Sequence, residues 1–276
     1  MSLLSASELY RRLQSGEKFI ADGAIGTLLM RQGIAPEDIL QTNRVNPTLV
    51  RSLHESYLGA GSDIITANTF GMPGALNWAN DLRTGAQIAL TMCSESNRYV
   101  AAWTSFIPHV LTDQIQEVRS VFRDLSPQPD IVLLETCTSL REALDAIDAA
   151  AKLSPTLLCV TCHFTVSGRM LDGTSSAEAA QRLVAAGASV VGANCADCPD
   201  IYKELLVAMK QTVEVPLLFQ PNAGLPLRAA DSEPVKYPTS PERFAEIGRG
   251  LFNAGAAIIG GCCGTTPAHI SALTVH

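Results

Sequence analysis

Two hydrophobic patterns alternate along the chain. Short apolar runs recur, each closing in polar or glycine residues: "FIADGAIGT", "SDIITANTFG", "YVAAWTSF", "DIVLLETC", "TLLCVTCHF", "ASVVGANC", "PLLFQPNAG" and "AAIIGGCC". Between them lie stretches such as "SLREALDAIDAAAKL", "SAEAAQRLVAAG" and "SPERFAEIGRGLFNAG", whose alanine and leucine positions share one face of a helix. Strand then helix, repeated, predicts parallel strands, and runs apolar on both faces suit a sheet covered on both sides. Eight such units in 276 residues match a (βα)8 TIM barrel, read here as a single domain over residues 1–276. A doubly wound open sheet is the alternative. The first helix is announced by a capping box of Ser5 and Glu8, a hydrophobic staple of Leu4 and Leu9, and Gly16 as its stop. The longest irregular piece, "PNAGLPLRAADSEPVKYPTSPE", follows the seventh run. A barrel commonly builds part of its active site there, although a plain surface loop reads the same way.

Composition narrows the function classes. Charged residues make up 17% of the chain and the formal net charge is −7, so no basic stripe exists to neutralise nucleic-acid phosphates or an anionic membrane. No run approaches the length of a membrane span, and the N-terminal stretch lacks the apolar core of a secretion signal. The expectation is a soluble, cytoplasmic protein. Eight cysteines are too sparse for a disulfide scaffold, so in a reducing compartment their clusters mean metal, redox chemistry or packing.

A barrel gathers the C-terminal ends of all its strands at one rim. Cys195 closes the sixth run and Cys262 and Cys263 close the eighth, which places three thiols there. Three thiolates suit zinc, with Zn–S distances of about 2.3 Å, and leave the fourth position open. Gly260 and Gly261 are expected to give the backbone the tight turn that aims the pair inward. Cys198 leaves alternatives open: "CADC" with "GGCC" could form a closed four-cysteine structural site, and its CxxC spacing also fits a redox dithiol. Pro199 starts the next helix and turns Cys198 away in the favoured reading. Cys159 and Cys162 face opposite sides of the fifth run and read as packing, as do Cys93 and Cys137.

Two further rim positions carry charge or open backbone. Asp22, Gly23 and Ala24 end the first run, where exposed backbone N–H groups are able to hold an anion. Glu135 ends the fourth run, a costly charge to bury unless it is paired, for example with a substrate ammonium. The bland readings are that Asp22 caps a turn and that Glu135 pairs with a nearby arginine.

The pieces "DGAIGT", "ANTFG", "LLET", "GRMLDGTS", "GANC", "PNAGLP" and "GGCCGTTPAHI" occur in order along the chain. Together they resemble the homocysteine S-methyltransferases, and within them the homocysteine-binding module of cobalamin-dependent methionine synthase. The resemblance implies a zinc-dependent barrel in which Cys195, Cys262 and Cys263 hold the metal and homocysteine sulfur takes the open position. It also implies that the backbone at Asp22, Gly23 and Ala24 receives the amino acid's carboxylate and that Glu135 helps bind its ammonium group. Asn194 and Asn222 match motif positions near the rim and are assigned to substrate binding. The reaction implied is methyl transfer to homocysteine, giving methionine. Gly264-Thr265-Thr266-Pro267 and "PNAGLP" look like the cobalamin-dependent type, so methylcobalamin on a separate corrinoid protein or module is the expected donor. S-methylmethionine or betaine is the alternative, as is a zinc- or thiol-binding protein without turnover. One departure stands out: "VAAWTSFIPHV" lacks the glycine-rich turn that usually follows the family's third strand, which puts donor and acceptor specificity in doubt.

Overall fold

The computed structural model describes residues 5–69, 77–104, 120–121, 123–151, 157–227 and 235–274. Each of the eight apolar runs contributes a strand: β1 (Phe19–Ile20), β2 (Ile64–Thr66), β3 (Tyr99–Thr104), β4 (Ile131–Cys137), β5 (Leu157–Cys162), β6 (Val190–Asn194), β7 (Leu217–Gln220) and β8 (Ile258–Ile259). All neighbours pair in parallel, in the order β1-β8-β7-β6-β5-β4-β3-β2. A parallel bridge between Ala21 and Ile64 joins the two ends of that order, so the sheet closes on itself as a (βα)8 barrel. The open-sheet alternative is excluded.

α1 (Ala6–Gln14) precedes the first strand, and the other helices among the described residues follow strands around the outside: α2 (Gly26–Arg31), α3 (Thr42–Val45), α4 (Pro47–Gly59), α5 (Trp78–Ser96), α6 (Leu140–Ala150), α7 (Ser176–Ala185), α8 (Tyr202–Lys210), α9 (Pro241–Ala254) and α10 (Pro267–Thr274). None of the helices among the described residues is long and apolar enough to cross a membrane. Ser5 caps α1 by accepting the Glu8 N–H, but the Glu8 carboxylate turns to Arg11 instead of completing the box. Leu4, the other half of the expected staple, lies outside the described residues. Gly16 stops α1 with φ 88°, the left-handed region that glycine enters without steric cost.

Strand alternation sorts the core into two bodies. Inward residues such as Phe19, Ile64, Ile131, Leu157, Val190 and Leu218 fill the barrel, and α1 plugs its N-terminal mouth with Leu9 and Leu13. Outward residues such as Val132, Val160, Val191 and Phe219 pack beneath the helices. Cys159 falls inside the barrel and Cys162 outside it, both fully buried, while Cys93 and Cys137 join the outer layer. All four serve packing. At the N-terminal end the Asp63 carboxylate accepts the Ile20 N–H at 3.0 Å, and the Asp130 carboxylate accepts the Val100 N–H at 2.9 Å. Both join neighbouring strands, and the opposite end is left free to carry chemistry. The residues that follow the third strand, 105–119, and the centre of the long loop, 228–234, lie outside the described residues.

Because α1 seals the barrel at the end opposite the thiols, stability and site should separate. Leu9→Ala is expected to lower the unfolding free energy by about 2–5 kcal/mol while leaving zinc stoichiometry unchanged, as measured by urea denaturation and metal analysis of the same sample.

Candidate metal centre

β6 hands the chain directly to Cys195, whose φ of 51° is unusual for a residue with a side chain. Two hydrogen bonds hold it there. The Cys195 N–H donates to the Gln220 carbonyl at 3.3 Å, and His163 Nδ1 donates to the Cys195 carbonyl at 2.9 Å. His163 follows β5 directly, and its other ring nitrogen lies 3.6 Å from the Asp197 carboxylate.

The segment after β8 is laced to its neighbours on both sides. Gly261 donates to the Asp22 carbonyl, Cys262 donates to the Pro221 carbonyl, and the Cys263 carbonyl accepts from Ala223, each at 2.9 Å. The expected reason for Gly260 and Gly261 changes here. Neither has a positive φ; a Cβ on Gly261 would lie 2.4 Å from Thr265 Oγ1, and one on Gly260 would lie 2.9 Å from the Asp22 carbonyl oxygen. Close approach, rather than a special turn, requires glycine at both positions. The turn itself comes one residue after the thiols, at Gly264 with φ 80°, where the Tyr237 ring lies against the backbone.

These connections bring the Sγ atoms of Cys195, Cys262 and Cys263 within 4.8 Å of one another, with Cys195 and Cys263 3.8 Å apart. A tetrahedral ion with Zn–S bonds of about 2.3 Å holds its sulfurs about 3.8 Å apart, so the spacing suits zinc. The chemistry of the donors agrees: the Cys262 and Cys263 thiols hydrogen-bond to Cys195 and hold it as a thiolate, down to about 3, while the same pairing pushes Cys262 up and Cys263 up to about 12. The cluster favours a thiolate among its three sulfurs, and a divalent cation would draw off the remaining protons. Asn222 Oδ1, buried and without a hydrogen-bond partner among the described residues, sits on a side chain that reaches Cys195 and adds an acceptor beside the cluster. Cys198 stands outside the group, at the start of the turn that leads into α8. The closed four-cysteine arrangement is not formed.

Asn194, fully buried, ties the cluster to Glu135. Its Nδ2 donates to Glu135 Oε1 at 3.1 Å and to Thr136 Oγ1 at 2.6 Å, and lies 3.8 Å from Cys262 Sγ, while its Oδ1 accepts the Thr136 N–H at 2.9 Å. Glu135 lies below the rim with partial solvent contact. Desolvation, then the charges of Cys195 and Asp22, push it up to about 8. Among the described residues no cationic side chain comes within ion-pair distance of it, and a cationic ligand would favour its charged form.

Asp22 behaves differently. Both of its oxygens are engaged by Thr66, one by the N–H at 2.9 Å and one by the hydroxyl at 2.8 Å, and burial raises its pKa to about 7. Its side chain clasps β1 to β2. The Ala24 N–H is also engaged, donating to Thr265 Oγ1 at 3.0 Å, whereas the Gly23 N–H finds no acceptor among the described residues. His163, Thr265 and Tyr237 border the cluster without being signalled as site residues by the sequence, although they lie within "TLLCVTCHF", "GGCCGTTPAHI" and "PNAGLPLRAADSEPVKYPTSPE".

The sequence pattern of the homocysteine S-methyltransferases matches residues 19–275. The chain belongs to the homocysteine S-methyltransferase family. It is 28% identical to a methionine synthase of Mycobacterium tuberculosis over 91% of its own length and 24% of that protein's. It is likewise 28% identical to the betaine–homocysteine S-methyltransferase 1 of Mus musculus, over 96% of this chain and 73% of that one. The chain thus spans about a quarter of the methionine synthases it matches. In fold it resembles the oxidized form of the homocysteine methyltransferase MmuM from Escherichia coli, with a TM-score of 0.75, 20% identity and coverage of 95% of this chain and 97% of that one.

Two outcomes test the site. Cys262→Ser is expected to lose most bound zinc and Cys198→Ser to keep a full equivalent, measured by metal analysis after dialysis against a weak chelator. The second concerns Glu135, whose folded pKa lies above its unfolded value. Its contribution is present below about pH 4.5 and is lost as pH rises through about 8. Glu135→Gln should therefore flatten the fall in stability across that window relative to wild type, as read by urea denaturation at several pH values with no amino acid added.

Proposed function

We propose that this barrel, residues 1–276, transfers a methyl group to the sulfur of homocysteine and releases methionine. The observation that carries the reading is the set of three cysteine sulfurs within 4.8 Å, placed at the rim of a barrel of this family. Zinc held by Cys195, Cys262 and Cys263 supplies the Lewis acidity that lowers the pKa of a thiol placed beside it. The chain's own residues do the rest. Glu135 receives the substrate ammonium, and gaining that partner favours its charged form. The Gly23 N–H, without an acceptor among the described residues, receives the carboxylate at the end of β1, with Asp22 and Ala24 holding the backbone in place. Asn194 keeps Glu135 in register with Cys262, and Asn222 lines the cluster beside Cys195. Reduced thiols at an accessible rim require a reducing compartment, so the reading includes a cytoplasmic location.

The donor in this reading is methylcobalamin, presented by a separate corrinoid protein or module. It is supported by "PNAGLP", by Gly264-Thr265-Thr266-Pro267 after the cysteine pair, and by similarity to a methionine synthase several times longer than this chain. A second reading takes betaine or S-methylmethionine as donor. It is favoured by matches over 73% of the mouse betaine enzyme and over 80% of an S-methylmethionine–homocysteine S-methyltransferase of Pongo abelii.

The test offers homocysteine with methylcobalamin, S-methylmethionine and betaine in parallel to one zinc-loaded, reduced preparation. Methionine from methylcobalamin alone is the expected result. Methionine from either small cationic donor alone transfers the assignment to the second reading. Tight homocysteine binding with no methionine from any donor would leave a binding protein without turnover.

A further inference from the structure

Thr265, fully buried, is the point where the segment after β1 meets the segment after β8. Its hydroxyl donates to the Cys262 carbonyl at 2.7 Å and accepts the Ala24 N–H at 3.0 Å. Tyr57, also fully buried, reaches in from α4: its hydroxyl donates to the Ala24 carbonyl at 2.8 Å and lies 3.4 Å from the Thr265 carbonyl. Gly261 closes the circuit by donating to the Asp22 carbonyl at 2.9 Å. The packing leaves no slack. A Cβ on Gly23 would lie 2.6 Å from Thr265 Oγ1 and 2.8 Å from Tyr57 Oη, and a Cβ on Gly261 would lie 2.4 Å from the same Thr265 oxygen. Two glycines, on two different strand ends, are thus both fitted around one hydroxyl.

We infer that Thr265 is a positioning residue that links the amino-acid carboxylate site at Asp22–Ala24 to the thiol site at Cys262 and Cys263. The inference rests on the proposed function, because it takes the β1 end as the carboxylate site. When the carboxylate orders the Gly23–Ala24 backbone, the Ala24 N–H holds the Thr265 hydroxyl, and that hydroxyl holds the carbonyl of a metal ligand. Hydrogen-bonded groups in a packed site move together, so binding at one end biases the other. Coupling of this kind is reciprocal: zinc must tighten the amino acid by the factor with which the amino acid tightens zinc.

The test separates this link from a direct bond between metal and substrate sulfur by using 2-aminobutyrate, which carries the carboxylate and ammonium groups but no sulfur. Zinc affinity is measured by chelator competition with and without 2-aminobutyrate. In wild type the amino acid is expected to tighten zinc by about fivefold or more. Thr265→Val keeps the shape and loses both hydroxyl bonds, and should abolish that gain; Thr265→Ser, which keeps the hydroxyl, should restore it. Tyr57→Phe removes the hydroxyl that anchors the Ala24 carbonyl and approaches the Thr265 carbonyl, and should reduce the gain while leaving both bonds of the Thr265 hydroxyl in place. Thermal unfolding of each variant shows that the comparison is made on folded protein. A wild-type zinc affinity that 2-aminobutyrate leaves unchanged, or a Thr265→Val protein that keeps the full gain, overturns the inference. Failure of both homocysteine and 2-aminobutyrate to bind the zinc-loaded wild type would instead overturn the proposed function, and the inference with it.

Discussion

The parallel register of β6, β7 and β8 is the constraint on which the site depends. Asn194 lies beside Gln220 on one side of β7, and Ile259 lies beside Phe219 on the other, so the ends of β6 and β8 emerge at one level with a single strand between them. Cys195 and Cys263, 68 positions apart in sequence, then need only short excursions to reach 3.8 Å. Those excursions are held by backbone hydrogen bonds to Gln220, Pro221 and Ala223, all supplied by the end of β7. A metal site built this way inherits the rigidity of the sheet.

Electrostatics follow from the same gathering. Closing the barrel buries Asp22 and Glu135 near a thiolate, and each answers the desolvation in its own way. Asp22 gains two hydrogen bonds from Thr66 and becomes part of the frame. Among the described residues Glu135 gains the neutral amide of Asn194 and no cation, and its pKa rises further. In the proposed function that carboxylate, joined to the thiol cluster through Asn194, receives the ammonium end of the amino acid. The polar residues beneath the rim are thereby divided between holding the frame and waiting for a ligand.

The barrel was legible in the sequence because its signal is periodic. Eight apolar runs separated by helical stretches mark the strands whatever their partners, and period-two alternation placed Cys159 and Cys162 on opposite faces. The gathering of Cys195, Cys262 and Cys263 was legible because each follows the end of a strand. What stayed hidden was pairwise. No spacing rule connects His163 with the Cys195 carbonyl, or Tyr57 with Ala24, since each contact joins segments that meet only after closure. The Glu8 carboxylate, expected to cap its own helix, prefers the opposite charge of Arg11 one turn on. Gly260 and Gly261 were recognised as necessary for the wrong reason, because sequence shows that a glycine is present but not whether φ or a neighbouring atom demands it.

In the proposed function three cysteine sulfurs would hold a zinc ion and leave one position for the substrate's sulfur. X-ray absorption at the zinc edge of the reduced, zinc-loaded protein, recorded before and after homocysteine is added, counts those sulfurs. The expected spectrum shows three sulfur neighbours at about 2.3 Å with one lighter neighbour, changing to four sulfurs with homocysteine. Four sulfurs before homocysteine is added, or a sulfur count that homocysteine does not change, would contradict it.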